Sequence, residues 1–194
     1  MRLTRKQLQE IEVRDRSKAA VHEYGRALVL QHHGFEASPC ISRTFTSEPL
    51  EEKLWIFKTL FFPNLATPFQ RRQIAIAGYL AERIWEEGDV EDSSIGDLCW
   101  ELEFNMGESF ADAEDWTRSD WTGAQGWTES DVAVVHDILI RNWSTLIEGA
   151  TALALDALSD GQCGFHSLQA PTSGSPEPQK NILTVRMACS GGER

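Results

Sequence analysis

The chain has 194 residues, 41% of them apolar and 25% charged, and a formal charge of −12. That is enough sequence for one sizeable core, and the acid excess argues against bulk phosphate binding or an anionic membrane surface. The longest apolar run, 54–62, is interrupted by Lys58 and falls far short of the roughly 20 residues of a membrane span. No apolar stretch follows Met1–Lys6, so no secretory leader is expected, and four scattered cysteines (Cys40, Cys99, Cys163, Cys189) read as reduced thiols of an intracellular protein.

Thr4-Arg-Lys-Gln7 is a capping box, predicting a helix from about Arg5 to the stop signal Gly34. Ala20, Tyr24, Ala27, Leu28 and Gln31 share one face of it. Leu8 and Ile11 are out of register with that face, so the charged cluster Arg14–Lys18 is read as a bend or break. Residues 35–46 read as loop. Ser47-Glu-Pro49 opens a second predicted helix with Leu50, Leu54, Phe57 and Phe61 on one side, closed by Pro63-Asn64. Thr67-Pro-Phe-Gln70 starts a third, whose inner face is Phe69, Ile76, Leu80 and Ile84 and whose stop is Gly88. A fourth covers about 94–106, with Ile95, Leu98, Cys99, Leu102 and Met106 inward and Asp97, Glu101 and Glu103 outward.

After Thr128, the residues Val132, Val135, Leu139, Trp143, Leu146, Ala150, Leu153 and Ala157 follow bundle spacing. They predict one long helix to about residue 158, with Gly149 as its bend point. From Asp160, Gly, Ser, Pro and Gln displace periodic apolar residues, and 181–187 is the one stretch suited to a short strand or docking segment. No two segments read as a β-hairpin. The expected architecture is all-α, an antiparallel bundle of about five helices over residues 1–159 followed by an irregular, mobile tail over 160–194.

Charge is concentrated at the centre. Residues 86–131 carry fifteen acidic side chains and one basic one, Arg118, so this block is −14 and the rest of the chain sums to +2. The same block holds Trp100, Trp116, Trp121 and Trp127. Three Trp-Thr pairs lie in 116–131, two of them inside a short repeat, Trp-Thr-x-Ser-Asp. In one reading each Thr caps a turn and the preceding Trp is a hydrophobic staple, Trp127 on Val132 and Trp116 on Trp121. In the other, tryptophans anchor a partner that the acids steer into place. The expected partner-binding set is Trp116, Trp121, Trp127, Asp112, Glu114, Asp115 and Asp120, and the expected partner is a basic protein surface, not nucleic acid or membrane.

Catalytic signals are sparse. His32-His33, Cys40 and Cys163-Gly-Phe-His166 have the chemistry of zinc ligands, but there is no Cys-x2-Cys pair, and no metal or cofactor is expected. Arg26 and His32, six apart, resemble the Arg-x(4–6)-His pair of HEPN-type ribonucleases, which are also helical bundles. Ala27 stands where a polar residue is usual, and no family function is carried over. Asp97-Leu-Cys99-Trp-Glu101 resembles in part the Leu-x-Cys-x-Glu peptide that binds retinoblastoma-family pockets, with Asp97 in place of its first Leu. His136 and Asp137 border the apolar seam, and no nucleophile is spaced to complete a triad. The expectation is therefore a non-enzymatic regulatory, inhibitory or adaptor protein. The alternatives are a helical-bundle ribonuclease or metal-dependent hydrolase drawing on Arg26, His32, His33, His136 and the acid block, and a self-assembling protein. In the last, the basic first helix docks on the acid block of another copy; the N-terminal segment that contains it holds seven of the eighteen basic residues.

Overall fold

Thr4 closes its box as expected, accepting the Gln7 N–H while Gln7 Oε1 accepts the Thr4 N–H at 2.9 Å. Helix α1 then runs unbroken over Arg5–His32, and Gly34 follows it with φ +80°. The computed structural model describes residues 4–43, 55–57, 59, 66–88, 94–106, 118–159 and 163–165. The charged cluster does not bend α1, because its members find partners off the helix. Asp15 accepts the Trp55 N–H at 2.8 Å, and the Arg16 guanidinium lies over the Trp55 ring, 5.8 Å from its centroid. Arg14 and Lys18 reach Glu86 at 3.4 and 3.5 Å. Beyond the cluster the second half of α1 is buried, while Ile11 and Val13 in the first half are exposed.

Helix α2, Pro68–Glu87, starts on the Thr67–Gln70 box with Pro at the first position and ends at Gly88 in the left-handed region. Ile76, Leu80 and Ile84 are buried as their spacing requires, but Phe69 is exposed in the first turn, before the helix enters the core. Contacts between α1 and α2 run in opposite order along the two helices, from Arg14–Glu86 through Lys18–Glu82 to His33–Gln73, so the pair is antiparallel. The approach is close enough to need glycine. A methyl group on Gly78 would collide with the His22 ring, and one on Gly149 with the Tyr24 ring.

Helix α3 spans Ile95–Met106, with Ser94 accepting the Asp97 N–H at 3.0 Å and Leu98 and Leu102 buried. A seven-residue helix α4, Arg118–Ala124, was not expected. The long C-terminal helix is divided into α5, Glu129–Arg141, and α6, Trp143–Ser159. The break falls at Asn142, not at Gly149. Asn142 Nδ2 donates to the Ile138 carbonyl at 2.7 Å, competing with the helical ladder, and its backbone leaves helical geometry at φ −113°, ψ 18°. The seam nevertheless holds, since all eight of its residues are buried except Trp143, which is partly buried.

The fold is all-α, with six helices among the described residues, and it carries a small sheet that the sequence reading did not contain. Strand β1, Cys40–Arg43, pairs antiparallel with β2, Trp55–Phe57, on one side and β3, Cys163–Phe165, on the other. Trp55–Phe57 was expected inside a helix. Three consecutive aromatic or β-branched side chains favour extended backbone, and pairing with β1 together with Asp15 and Arg16 secures Trp55 there. The other residues of that expected helix lie outside the described residues. So does most of 160–194, but Cys163–Phe165 belongs to the sheet and not to a mobile tail.

One core joins all six helices. Gly149→Ala should lower stability by about 1–3 kcal/mol, because Tyr24 cannot yield without disturbing packed neighbours. At Gly96 an added methyl meets nothing nearer than Ser94 Oγ at 3.9 Å. Gly96→Ala should therefore be neutral or stabilising by at most about 1 kcal/mol, and chemical denaturation of the two variants reads the contrast.

Candidate functional site

Of the residues expected to bind a partner, the structure describes the side chains of Trp127 and Asp120. Trp116, Asp112, Glu114 and Asp115 lie outside the described residues, and Trp121 is placed on α4. Trp127 is partly buried against the core, immediately before the Thr128–Asp131 box that starts α5, as the staple reading requires. Asp120 is only 2% exposed and faces inward. Its two oxygens take Arg26 Nη1 at 3.2 Å and Nη2 at 3.1 Å, a two-pronged ion pair inside the bundle. It is a structural partner of α1 and not a surface charge.

Asp120 is one of several acids of the central block that the fold uses internally. Asp131 is fully buried, pairing with Arg72 Nε at 2.9 Å and accepting from Gln73, besides closing the Thr128 box. Glu101 takes Arg83 at 2.7 Å and the Tyr79 hydroxyl at 3.3 Å, and Asn105 donates to that same hydroxyl. Glu86 is shared by Arg14, Lys18 and Arg83. Basic residues that are distant in sequence, on α1 and α2, thus pair with Glu86, Glu101, Asp120 and Asp131, four of the block's acids among the described residues.

Among the described residues, the exposed acids of the block lie on and around α3. Trp100 is 63% and Phe104 61% exposed, and their rings stack with centroids 5.7 Å apart and planes 19° from parallel. They are four residues apart, on the side of the helix away from Leu98 and Leu102. Asp97, one turn before Trp100, and Glu103, three residues after it, are exposed, and α3 contains no basic residue. Glu87 and Glu129 extend the acidic surround. The Glu87 carboxyl is pushed up by partial burial and by Glu101 and Asp97, against the pull of Arg83. Glu129 lies close enough to Cys99 to raise its thiol, after the larger effect of burial. Sequence reasoning counted Trp100 among the block's tryptophans but gave it no role. The available signal was position, since residues 100 and 104 are the two large aromatics of this helix that fall off its inner face.

Of the residues weighed for catalysis, Arg26 and His33 have partners inside the fold. Arg26 is buried between Asp120 and Glu23, the latter at 3.6 Å, while His32 and His33 pack edge to face at the end of α1. His33 bonds Gln73 Oε1 at 2.8 Å, and burial lowers its pKa. His136 is partly buried on α5. Among the described residues no group of three His, Cys, Asp or Glu side chains is placed to hold a metal ion, and no helix is long and apolar enough to cross a membrane. Cys99 is helical and partly buried, unlike the extended peptide its surroundings resemble in sequence.

Between α1 and α2 lies a buried ionic cluster. His22 Nδ1 lies 2.7 Å from Glu82 Oε1, Lys18 reaches Glu82 Oε2 at 3.4 Å, and the Thr59 hydroxyl donates to Glu23. Burial raises the Glu23 pKa to about 7, with Arg26 and His22 opposing the rise and Asp120 and Glu82 adding to it. In comparisons with known proteins, no family model and no curated protein matches the chain.

Two predictions separate structure from surface. Asp120→Ala should cost about 3–5 kcal/mol, because it strips a buried arginine of its main partner; a surface acid would cost almost nothing. For Glu23, the unfolded carboxyl loses its proton near the ordinary value of 4.5 while the folded one keeps it to about 7. Stability should therefore fall as pH rises through that window and level off above it. Glu23→Gln should flatten the fall, so its stability relative to the native chain rises between about pH 5 and about pH 8 in denaturation curves.

Proposed function

We propose that this is a non-enzymatic binding protein of regulatory, inhibitory or adaptor type, and that the exposed face of α3 docks a basic partner surface. The observation that carries the reading is the stacked Trp100–Phe104 pair, presented to solvent on a helix whose free charges are all acidic. Large aromatics supply contact area at low entropic cost, and a surround of one sign of charge steers the opposite sign. The pair replaces Trp116 and Trp121 as the proposed anchor, and Asp97 and Glu103 replace Asp120 as the steering charge. A second copy of the chain carries one suitable surface, because the first half of α1 exposes Lys6 and Arg14 beside Ile11 and Val13.

The test is calorimetric titration with a synthetic amphipathic helix bearing leucines on one face and lysines on the other, at low and high salt. Binding should weaken with salt. The double variant Trp100→Ala, Phe104→Ala should lose at least about tenfold in affinity while its stability changes by less than about 0.5 kcal/mol per site. Equal binding by the native chain and the double variant would overturn the α3 site. Sedimentation of the native chain at low salt, with no peptide added, reads the second copy as partner.

A further inference from the structure

A half-enclosed cavity of about 320 Å³ opens between α1, the end of α2 and α6, far in sequence from the α3 face. Its walls are mostly apolar, with Trp85, Ile147 and the exposed Leu155 among them, and its polar side chains are Arg16, Ser17 and Thr151. A second hollow of about 540 Å³ shares Ser17 and Trp85 and continues past Val13 along α1.

Arg16 is the unusual member. It is 8% exposed, and among the described residues its Nε has no hydrogen-bond partner and no carboxylate forms an ion pair with it. Glu12, one turn earlier, acts on its charge, but Glu12 is taken by Arg43 at 3.3 Å. The face of Trp55 holds the guanidinium in place, 5.8 Å from the ring centroid, and the buried Nε–H is left without an acceptor. Burying an arginine with its donors unsatisfied is costly, and the cost is removed when an anion accepts from it. Apolar walls with one convergent charged group are the usual build of a small-molecule site.

We infer that this cavity binds a small amphiphilic carboxylate, its apolar chain lying between Trp85, Ile147 and Leu155 and its carboxylate accepting from Arg16. The volume suits such a molecule and is too small for a helix of a partner protein. The inference is independent of the α3 docking surface, so either can fail without the other.

The experiment titrates decanoate, below its micelle concentration, into the full chain by calorimetry and thermal shift, with decanol as the uncharged comparator. Decanoate should bind and raise the melting temperature, and decanol should bind at least about tenfold more weakly. Arg16→Met should lose that preference while the free protein stays at least as stable, since a buried guanidinium lacking an ion-pair partner is replaced by an apolar chain of similar length. Leu155→Glu, at an exposed position, should repel decanoate with the fold intact, and it keeps the inference testable if Arg16→Met folds poorly. Absence of decanoate binding, equal affinity for decanol, or an unchanged preference in a folded Arg16→Met protein would overturn it. In neither variant should the lysine–leucine peptide bind α3 any differently.

Discussion

The close antiparallel contact of α1 with α2 is the constraint from which the rest of the structure follows. The two helices approach through Gly78 beneath His22, and α6 approaches α1 through Gly149 beneath Tyr24. A polar side chain enclosed at such a contact is separated from water and must be matched by the neighbouring helix. α1 carries Lys18, His22, Glu23 and Arg26 inward, and α2 and α4 answer with Glu82 and Asp120. Sliding α1 by one residue would rotate its side chains by about 100° relative to α2 and strand each of these groups. Buried ion pairs add little net stability compared with apolar packing, but mismatched ones are heavily penalised. The cluster therefore acts mainly on register, selecting one alignment of three helices from the many that apolar packing alone would tolerate.

That requirement draws four acids of the −14 block against basic partners. Glu86, Glu101, Asp120 and Asp131 are placed against Arg14, Lys18, Arg83, Arg26 and Arg72. The positive residues come from α1, the basic helix of the sequence reading, and from α2. Sequence segregation of charge here reflects complementarity between helices as much as a field directed at solvent. The acids left exposed around α3 matter because they surround an aromatic pair, not because they are numerous.

Features set by neighbours in sequence were legible from it. The three capping boxes at Thr4, Thr67 and Thr128 formed as expected, since each depends on residues three apart. The eight-residue seam from Val132 to Ala157 was equally plain, because helical periodicity survives the interruption at Asn142. Trp55–Phe57 was misread because its spacing suits a helix and its strand partners lie elsewhere in the chain. Asp120 was misread for the same reason, as nothing near it in sequence announces Arg26, which lies 94 residues away. The α3 pair was half legible, since periodicity excluded Trp100 and Phe104 from the core, but their stacking required coordinates.

The raised Glu23 pKa bears on the choice between binding and catalysis. A carboxyl shifted to about 7 is often a mark of an active site, because general acids and bases are tuned in that way. Structural networks produce the same shift, and the two differ in what surrounds the group. Glu23 is fully buried, its Oε2 accepts from Thr59, and its charged neighbour Arg26 is already committed to Asp120. A catalytic carboxyl must meet a substrate within hydrogen-bond reach. Its protonation here instead lowers the cost of enclosing three carboxylates, Glu23, Glu82 and Asp120, beside Lys18, His22 and Arg26. Among the described residues, the groups to which the two proposals turn are the aromatic pair on α3 and the arginine-ended cavity beside α6. Both offer apolar area with a defined charge next to it, the chemistry on which the proposed recognition rests.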